Sequence, residues 1–262
     1  MAPVPAVSEL PDSAAPPALV ARGLTVRFGA TAALDGIDLE VPAGRTVAVL
    51  GPNGAGKSTL FGVAVGLISP SGGEIRLSNR RVAFVPQQLS VEPLFPVTVT
   101  DVVRMGRYGE LGMLKRFRER DHELVARAIS GLAMEGLAAR RFGDLSGGER
   151  QRALLAQAAA QDAEILLLDE PFTGVDAPTR ETLHGLIDRW RGEGRTVMVA
   201  THDLQSAARD YDLVLCLNRR LIAFGEPAVA CTEPVLSETF AGQIVRLGEM
   251  VVDVAHHHHG AG

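Results

Sequence analysis

The chain has 262 residues, with 26 Lys and Arg against 31 Asp and Glu, a formal charge of -5, 46% hydrophobic residues and 22% charged ones. That is room for one or two domains with a substantial core, and the balance excludes a disordered or fibrous chain. A net-negative chain is also a poor candidate for a general nucleic-acid binder. The two cysteines, Cys216 and Cys231, form no close pair, so neither a disulfide framework nor a cysteine-rich zinc site is expected.

In chain order, residues 1–17 carry five of the fifteen prolines and read as a tail. They have neither the basic start nor the apolar stretch of a secretory signal. The folded domain is expected from Ala18. LTVRF, IDLEV and RTVAVL are short β-rich segments between Gly and Pro and predict a strand-rich opening. A helix is expected after Gly51, through Leu67, followed by strands at SGGEIRL and RVAFV. Residues 100–160 carry apolar residues at three- and four-residue spacing, which predicts helices. EILLLDE, TVMVATHD and DLVLCLN then read as buried strands alternating with helical stretches. Buried strands interleaved with helices give an α/β domain with a largely parallel sheet. No apolar run approaches the roughly 20 residues of a membrane helix, so work at a membrane would need another chain to cross it.

TVAVLGPNGAGKSTLFG places the pattern GxxxxGK[ST] at Gly51, Pro52, Asn53, Gly54, Ala55, Gly56, Lys57 and Ser58, with Thr59 next, after an apolar strand and at the start of a helix. Glycines there let consecutive backbone N–H groups point at phosphate oxygens, and the helix N-terminus adds a fixed positive dipole. Lys57, one of only two lysines in the chain, would neutralise the β- and γ-phosphates, and the Ser58 hydroxyl would ligate Mg²⁺. ILLLDEP, residues 165–171, supplies the complementary side. Asp169 is the expected Mg²⁺ partner, and Glu170 is placed to polarise an attacking water. The bland reading is an acidic pair that only caps the next helix. A second anion site is expected at LSGGERQR, where Ser146, Gly147 and Gly148 open a helix.

With LSGGERQR the sequence resembles the ATP-binding subunits of ABC transporters, over residues 18–248. The resemblance implies a P-loop NTPase (RecA-like) core of α/β class, with an N-terminal antiparallel β subdomain and an inserted α-helical subdomain at about 89–160. It marks Phe28 as the aromatic that stacks on adenine, against a core role. It marks Gln87 in VPQQ as the Q-loop glutamine that also meets Mg²⁺, with Gln88 the one-residue alternative. Asp176 falls in the D-loop TGVD, and His202 matches the histidine that touches the γ-phosphate, against a role as helix cap. The cofactors implied are ATP and Mg²⁺. The partners implied are integral membrane permease subunits, a second copy in a head-to-tail homodimer, and an extracytoplasmic metal-binding protein, with no nucleic acid. The location implied is the cytoplasmic face of the cell membrane.

FPVTVTDVVRMGRYG, residues 95–109, together with LNRRLIAFGEP and ETFAGQIV, is similar to the manganese, zinc and iron importer group. The function expected is therefore ATP-driven uptake of a transition metal ion, manganese or zinc first and chelated iron next. A soluble ABC ATPase acting in translation or DNA repair is the competing class, but the chain has neither a second ATPase unit nor long coiled coils. A P-loop kinase would leave the signature unexplained. Residues 249–262 include His256, His257, His258 and His259, which read as a metal-binding tail or, alternatively, as a disordered native tail or an appended tag.

Overall fold

The computed structural model describes residues 16–78, 81–87, 96–111, 116–241, 244–247 and 250–253, with side chains up to residue 241. The expectations for residues 1–15, for Gln88 and for His256 to His259 fall outside the described residues. The chain divides into two compact units, one of Met1–Val41, Val47–Arg76 and Ala200–Gly262, the other of Pro42–Thr46 and Leu77–Val199.

The first unit opens with β1 (Leu19–Phe28) and β2 (Thr31–Val41), an antiparallel pair running from Leu19↔Val41 to Phe28↔Thr31. Leu19, Ala21, Leu24 and Val26 are buried along β1, and the step from Ala21 to Leu24 spans a register shift against β2. The two-residue connection Gly29-Ala30 closes the hairpin, and Phe28 sits at its tip. β3 (Thr46–Leu50) is buried at every position and leads to α1 (Lys57–Ala64). The helix ends at Ala64 rather than at the expected Leu67. Gly66 takes φ 77, and the N–H groups of Leu67 and Ile68 turn back to the Gly62 carbonyl.

β4 (Gly72–Leu77) lies beside β1, giving the order β2-β1-β4. In the second unit β5 (Val82–Val85) precedes three helices, α2 (Val99–Leu111), α3 (Glu119–Gly131) and α4 (Gly147–Ala160). β6 (Ile165–Asp169), α5 (Ala177–Gly192) and β7 (Thr196–Thr201) follow, and the chain passes back to the first unit inside β7. There α6 (Leu204–Asp210), β8 (Leu213–Asn218) and β9 (Arg220–Gly225) come next. The short helices α7 (Pro227–Ala230) and α8 (Glu233–Thr239) and the hairpin of β10 (Ile244–Leu247) and β11 (Met250–Asp253) close the chain. β3 and β8 are parallel, with β9 antiparallel on β8. In the second unit β5 and β6 are parallel and β7 neighbours β6. No helix among the described residues is long and apolar enough to cross a membrane.

The helices of the second unit pack at close range. A Cβ on Gly106 of α2 would lie 2.2 Å from the Gln157 carbonyl oxygen of α4, which accounts for a glycine inside a helix despite a cost of roughly 1 kcal/mol. Beside it Arg107 is buried. It donates to Asp121 at 3.0 Å, to the Ala160 and Gln161 carbonyls at 3.0 and 3.1 Å, and to Glu110. Glu110 also takes Arg81, and Asp162, just before β6, takes Arg81, Arg120 and Arg195.

Asp121 is held below the ordinary carboxylate range, first by the Arg118 N–H and then by Arg107. A depressed carboxyl contributes stability that is complete above pH ~4 and lost as the pH falls through its lowered value. Arg107→Met strands Asp121 without its charge partner. It is expected to cost about 3 kcal/mol in urea unfolding at pH 7, with the gap narrowing below pH 4.

Candidate functional site

β3 places its loop where a ligand can reach backbone. Gly51 follows the buried run, and a Cβ there would lie 2.1 Å from the Leu217 carbonyl oxygen of β8, a backbone atom that cannot swing aside. Gly56 adopts φ 99, and its Cβ would meet the Ala33 carbonyl oxygen at 2.6 Å. Only glycine fits at either position. Gly56 is also the N-cap of α1 and carries no capping side chain, so the first N–H groups of the helix face outward for an acceptor. Asn53, Gly54 and Ser58 are exposed, Pro52 and Thr59 half-buried and Ala55 buried.

Lys57 is 5% exposed. Its Nζ donates to the Gly51 carbonyl at 2.6 Å and the Pro52 carbonyl at 3.2 Å, which folds the ammonium back over its own loop. The loop is braced from behind by the β8–β9 turn. The Arg219 N–H donates to the Ala55 carbonyl at 2.8 Å, the Asp35 N–H donates to the Arg219 carbonyl, and Arg220 holds the Asp35 carboxylate at 3.0 Å. Sequence reading missed Asp35, Leu217, Arg219 and Arg220, whose only signal was the turn-like NRR.

In the second unit the register Val82↔Ile165 to Val85↔Leu168 makes β5 and β6 end together. Gln87 follows one and Asp169–Glu170 the other, at the carboxyl ends of parallel strands, where α/β sheets present their chemistry. Asp169 is buried. Glu170 adopts φ 49, a left-handed conformation for a non-glycine residue. Its Oε2 accepts from Gln87 Nε2 at 2.9 Å and from the Thr173 hydroxyl at 3.1 Å. The fold thus joins Gln87 to Glu170, two residues 83 positions apart that no local pattern relates.

The Glu170–Asp176 loop is held at both ends. The Phe172 ring stacks on His184 of α5 with centroids 4.5 Å apart and 15° between planes. Asp176 caps α5, accepting from the Thr179 N–H at 3.0 Å. Thr179 hydrogen bonds, with Arg152 nearby, keep the Asp176 carboxyl below its ordinary range. Ser146 caps α4 in a reciprocal box: its Oγ accepts from the Glu149 N–H at 3.3 Å, and Glu149 accepts from the Ser146 N–H at 2.7 Å. The Ser146 N–H is the main reason that the Glu149 carboxyl is lowered. Gly147 would have no atom within 4 Å of a Cβ, so this helix start is open.

Two bland readings give way. Phe28 is 56% exposed at the hairpin tip and is not a core residue. His202 follows β7 and is exposed, and Asp203 is the cap of α6, accepting from the Gln205 and Ser206 N–H groups at 3.1 Å. Cys216 is buried in β8, where burial pushes its thiol up to about 12 and leaves it inert at neutral pH.

Comparison with known proteins follows the same line. The ABC transporter family model matches residues 34–173. The chain is 39% identical over 240 residues to the manganese transport system ATP-binding protein of Bacillus subtilis, covering 89% of this chain and 96% of that protein. It is 41% identical over 228 residues to the zinc transport system ATP-binding protein of Treponema pallidum, covering 84% and 86%. Among solved structures it is similar to a chain of an inward-facing ABC transporter assigned to the metal-chelate type, with TM-score 0.77, 29% identity, and coverage of 90% and 95%.

Gly51→Ala should force the loop off the Leu217 carbonyl. Expected are a fall in melting temperature of several degrees and a loss of at least tenfold in affinity for a fluorescent ATP analogue. Gly147→Ala, in open space, should leave the melting temperature unchanged.

Proposed function

We propose that this chain, which belongs to the ABC transporter family and is an ATP-binding and ATP-hydrolysing subunit, powers uptake of a transition metal ion, manganese or zinc, through a separate membrane permease. The observation that carries the ion class is the likeness to manganese and zinc system subunits over more than four-fifths of the chain. The reading assigns 18–248 to the ATPase domain, about 89–160 to the helical subdomain that meets the permease, and 1–17 and 249–262 to tails. It places the chain at the cytoplasmic face of the membrane. It includes an extracytoplasmic metal-binding protein in the system and no nucleic acid.

In this reading Phe28 stacks on adenine, and residues 51–59 take the phosphates through backbone N–H groups and Lys57. Hydroxyl, carboxylate and amide oxygens are the hard donors that Mg²⁺ prefers, and Ser58, Asp169 and Gln87 carry them, so these residues would hold the ion. When bound, the ion offsets charge on the β- and γ-phosphates. Glu170 orients water and accepts its proton, and Gln87 and Thr173 hold its carboxylate in place through Oε2. His202 donates to the γ-phosphate.

The helix start at Ser146, Gly147 and Gly148 is a second anion site on the same chain. Two copies related head to tail give it a nucleotide, with the P-loop of one and the signature of the other around each ATP, and Asp176 alongside. Symmetry makes the two composite sites equivalent. ATP then stabilises the closed pair, and hydrolysis releases it.

Glu170→Gln is expected to lower hydrolysis at least 100-fold, leave ATP binding intact, and pair in saturating ATP by sedimentation. A chain that stays single in ATP contradicts the shared site. Uptake of radioactive Mn²⁺, Zn²⁺ and iron in cells lacking the chain tests the ion. Loss of Mn²⁺ or Zn²⁺ uptake, restored by wild type and not by Glu170→Gln, is expected, and unchanged uptake of both overturns the assignment.

A further inference from the structure

The second unit holds a cavity of about 350 Å³ that the nucleotide chemistry does not use. Its size is at the lower end of the roughly 300–1,000 Å³ of small-molecule sites. Leu124 of α3 and Leu186 and Trp190 of α5 give it an apolar floor, and all three are buried.

The charges on its wall are unequal. Asp162 and Glu193 line it, but Arg195 already takes both, at 3.0 and 2.7 Å, and Arg120 takes Asp162 as well, at 3.1 Å. Two further arginines on the wall have no carboxylate among the described residues. Arg189 gives one N–H to the Gly131 carbonyl at 2.9 Å, and Arg127 is exposed. A guanidinium presents a planar fork of donors that matches a carboxylate or sulfonate. Apolar floor and surplus positive charge together select one kind of occupant.

We propose that this cavity binds a small amphipathic anion, its apolar body against Leu186 and Trp190 and its acidic head meeting Arg127 and Arg189. The site stands apart from the residues assigned to ATP and is independent of the ion transported.

Trp190 is the only tryptophan in the chain, so its emission reports occupancy directly. The full chain, saturated with ADP, is titrated with 8-anilinonaphthalene-1-sulfonate and separately with uncharged N-phenyl-1-naphthylamine, which has the same rings without the sulfonate. Expected is saturable energy transfer from Trp190 at one sulfonate probe per chain, reversed by decanoate. The uncharged probe should bind at least tenfold more weakly. Arg127→Ala/Arg189→Ala should weaken the sulfonate probe about tenfold and leave binding of the uncharged probe unchanged. Arg127→Ala alone, at an exposed position, should weaken it about threefold. Equal binding of the two probes, or equal sulfonate binding by the variants, overturns the proposal and marks a plain apolar surface suited to a partner helix or a second copy. Absence of saturable transfer also overturns it.

Discussion

The structure depends first on the requirement that a stretch of backbone be held open toward phosphate without collapsing on itself. N–H groups from Gly51 onward bind an anion only if their curl is rigid before the anion arrives, because a flexible loop would lose the gain to ordering entropy. Rigidity comes from outside the loop. The Leu217 carbonyl packs where a Gly51 side chain would be, the Arg219 N–H holds Ala55, and the Ala33 carbonyl crowds Gly56. The parallel pairing of β3 with β8, Leu50 beside Cys216, sets this contact. Lys57 completes it by returning its ammonium to the loop's own carbonyls.

The second unit solves a different problem, the placing of a carboxylate at the end of a strand. β5 and β6 end in register, so Gln87 and Glu170 meet without long side chains having to search for one another. The left-handed turn at Glu170, the Phe172–His184 stack and the Asp176 cap then hold the loop that follows the carboxylate. At the other end of the same strands, Asp162 gathers Arg81, Arg120 and Arg195. Arg81 and Glu110 extend those charges to Arg107 and Asp121 in the helices. Motion of the helices relative to one another would therefore be felt where β5 and β6 begin.

Much of this was legible in the chain. ILLLD, TVMVAT and LVLCLN read as buried strands because almost no polar residue interrupts them, and all three are strands. LSGGERQR read as the start of a helix, and α4 begins there with Ser146 as its cap. The P-loop announced itself by glycine spacing. What stayed hidden lies in contacts between distant segments: the Leu217 carbonyl at Gly51, the Gln87–Glu170 bond, and the Gln157 carbonyl that demands Gly106. Periodicity reports one element at a time and is silent on such pairs. The overlong first helix had a local cause. Leu67 and Ile68 keep the apolar rhythm, but Gly66 turns left-handed and ends the helix.

In the proposed working pair each ATP is enclosed by the P-loop of one copy and the signature of another. The most direct measurement mixes two defective chains, Lys57→Ala and Ser146→Arg, and follows ATP-dependent association by light scattering. Neither chain alone has an intact composite site, whereas a mixed pair has one, with Lys57 from one copy and Ser146 from the other. The account predicts association in the mixture and none in either chain by itself. A mixture as inert as its components would contradict it.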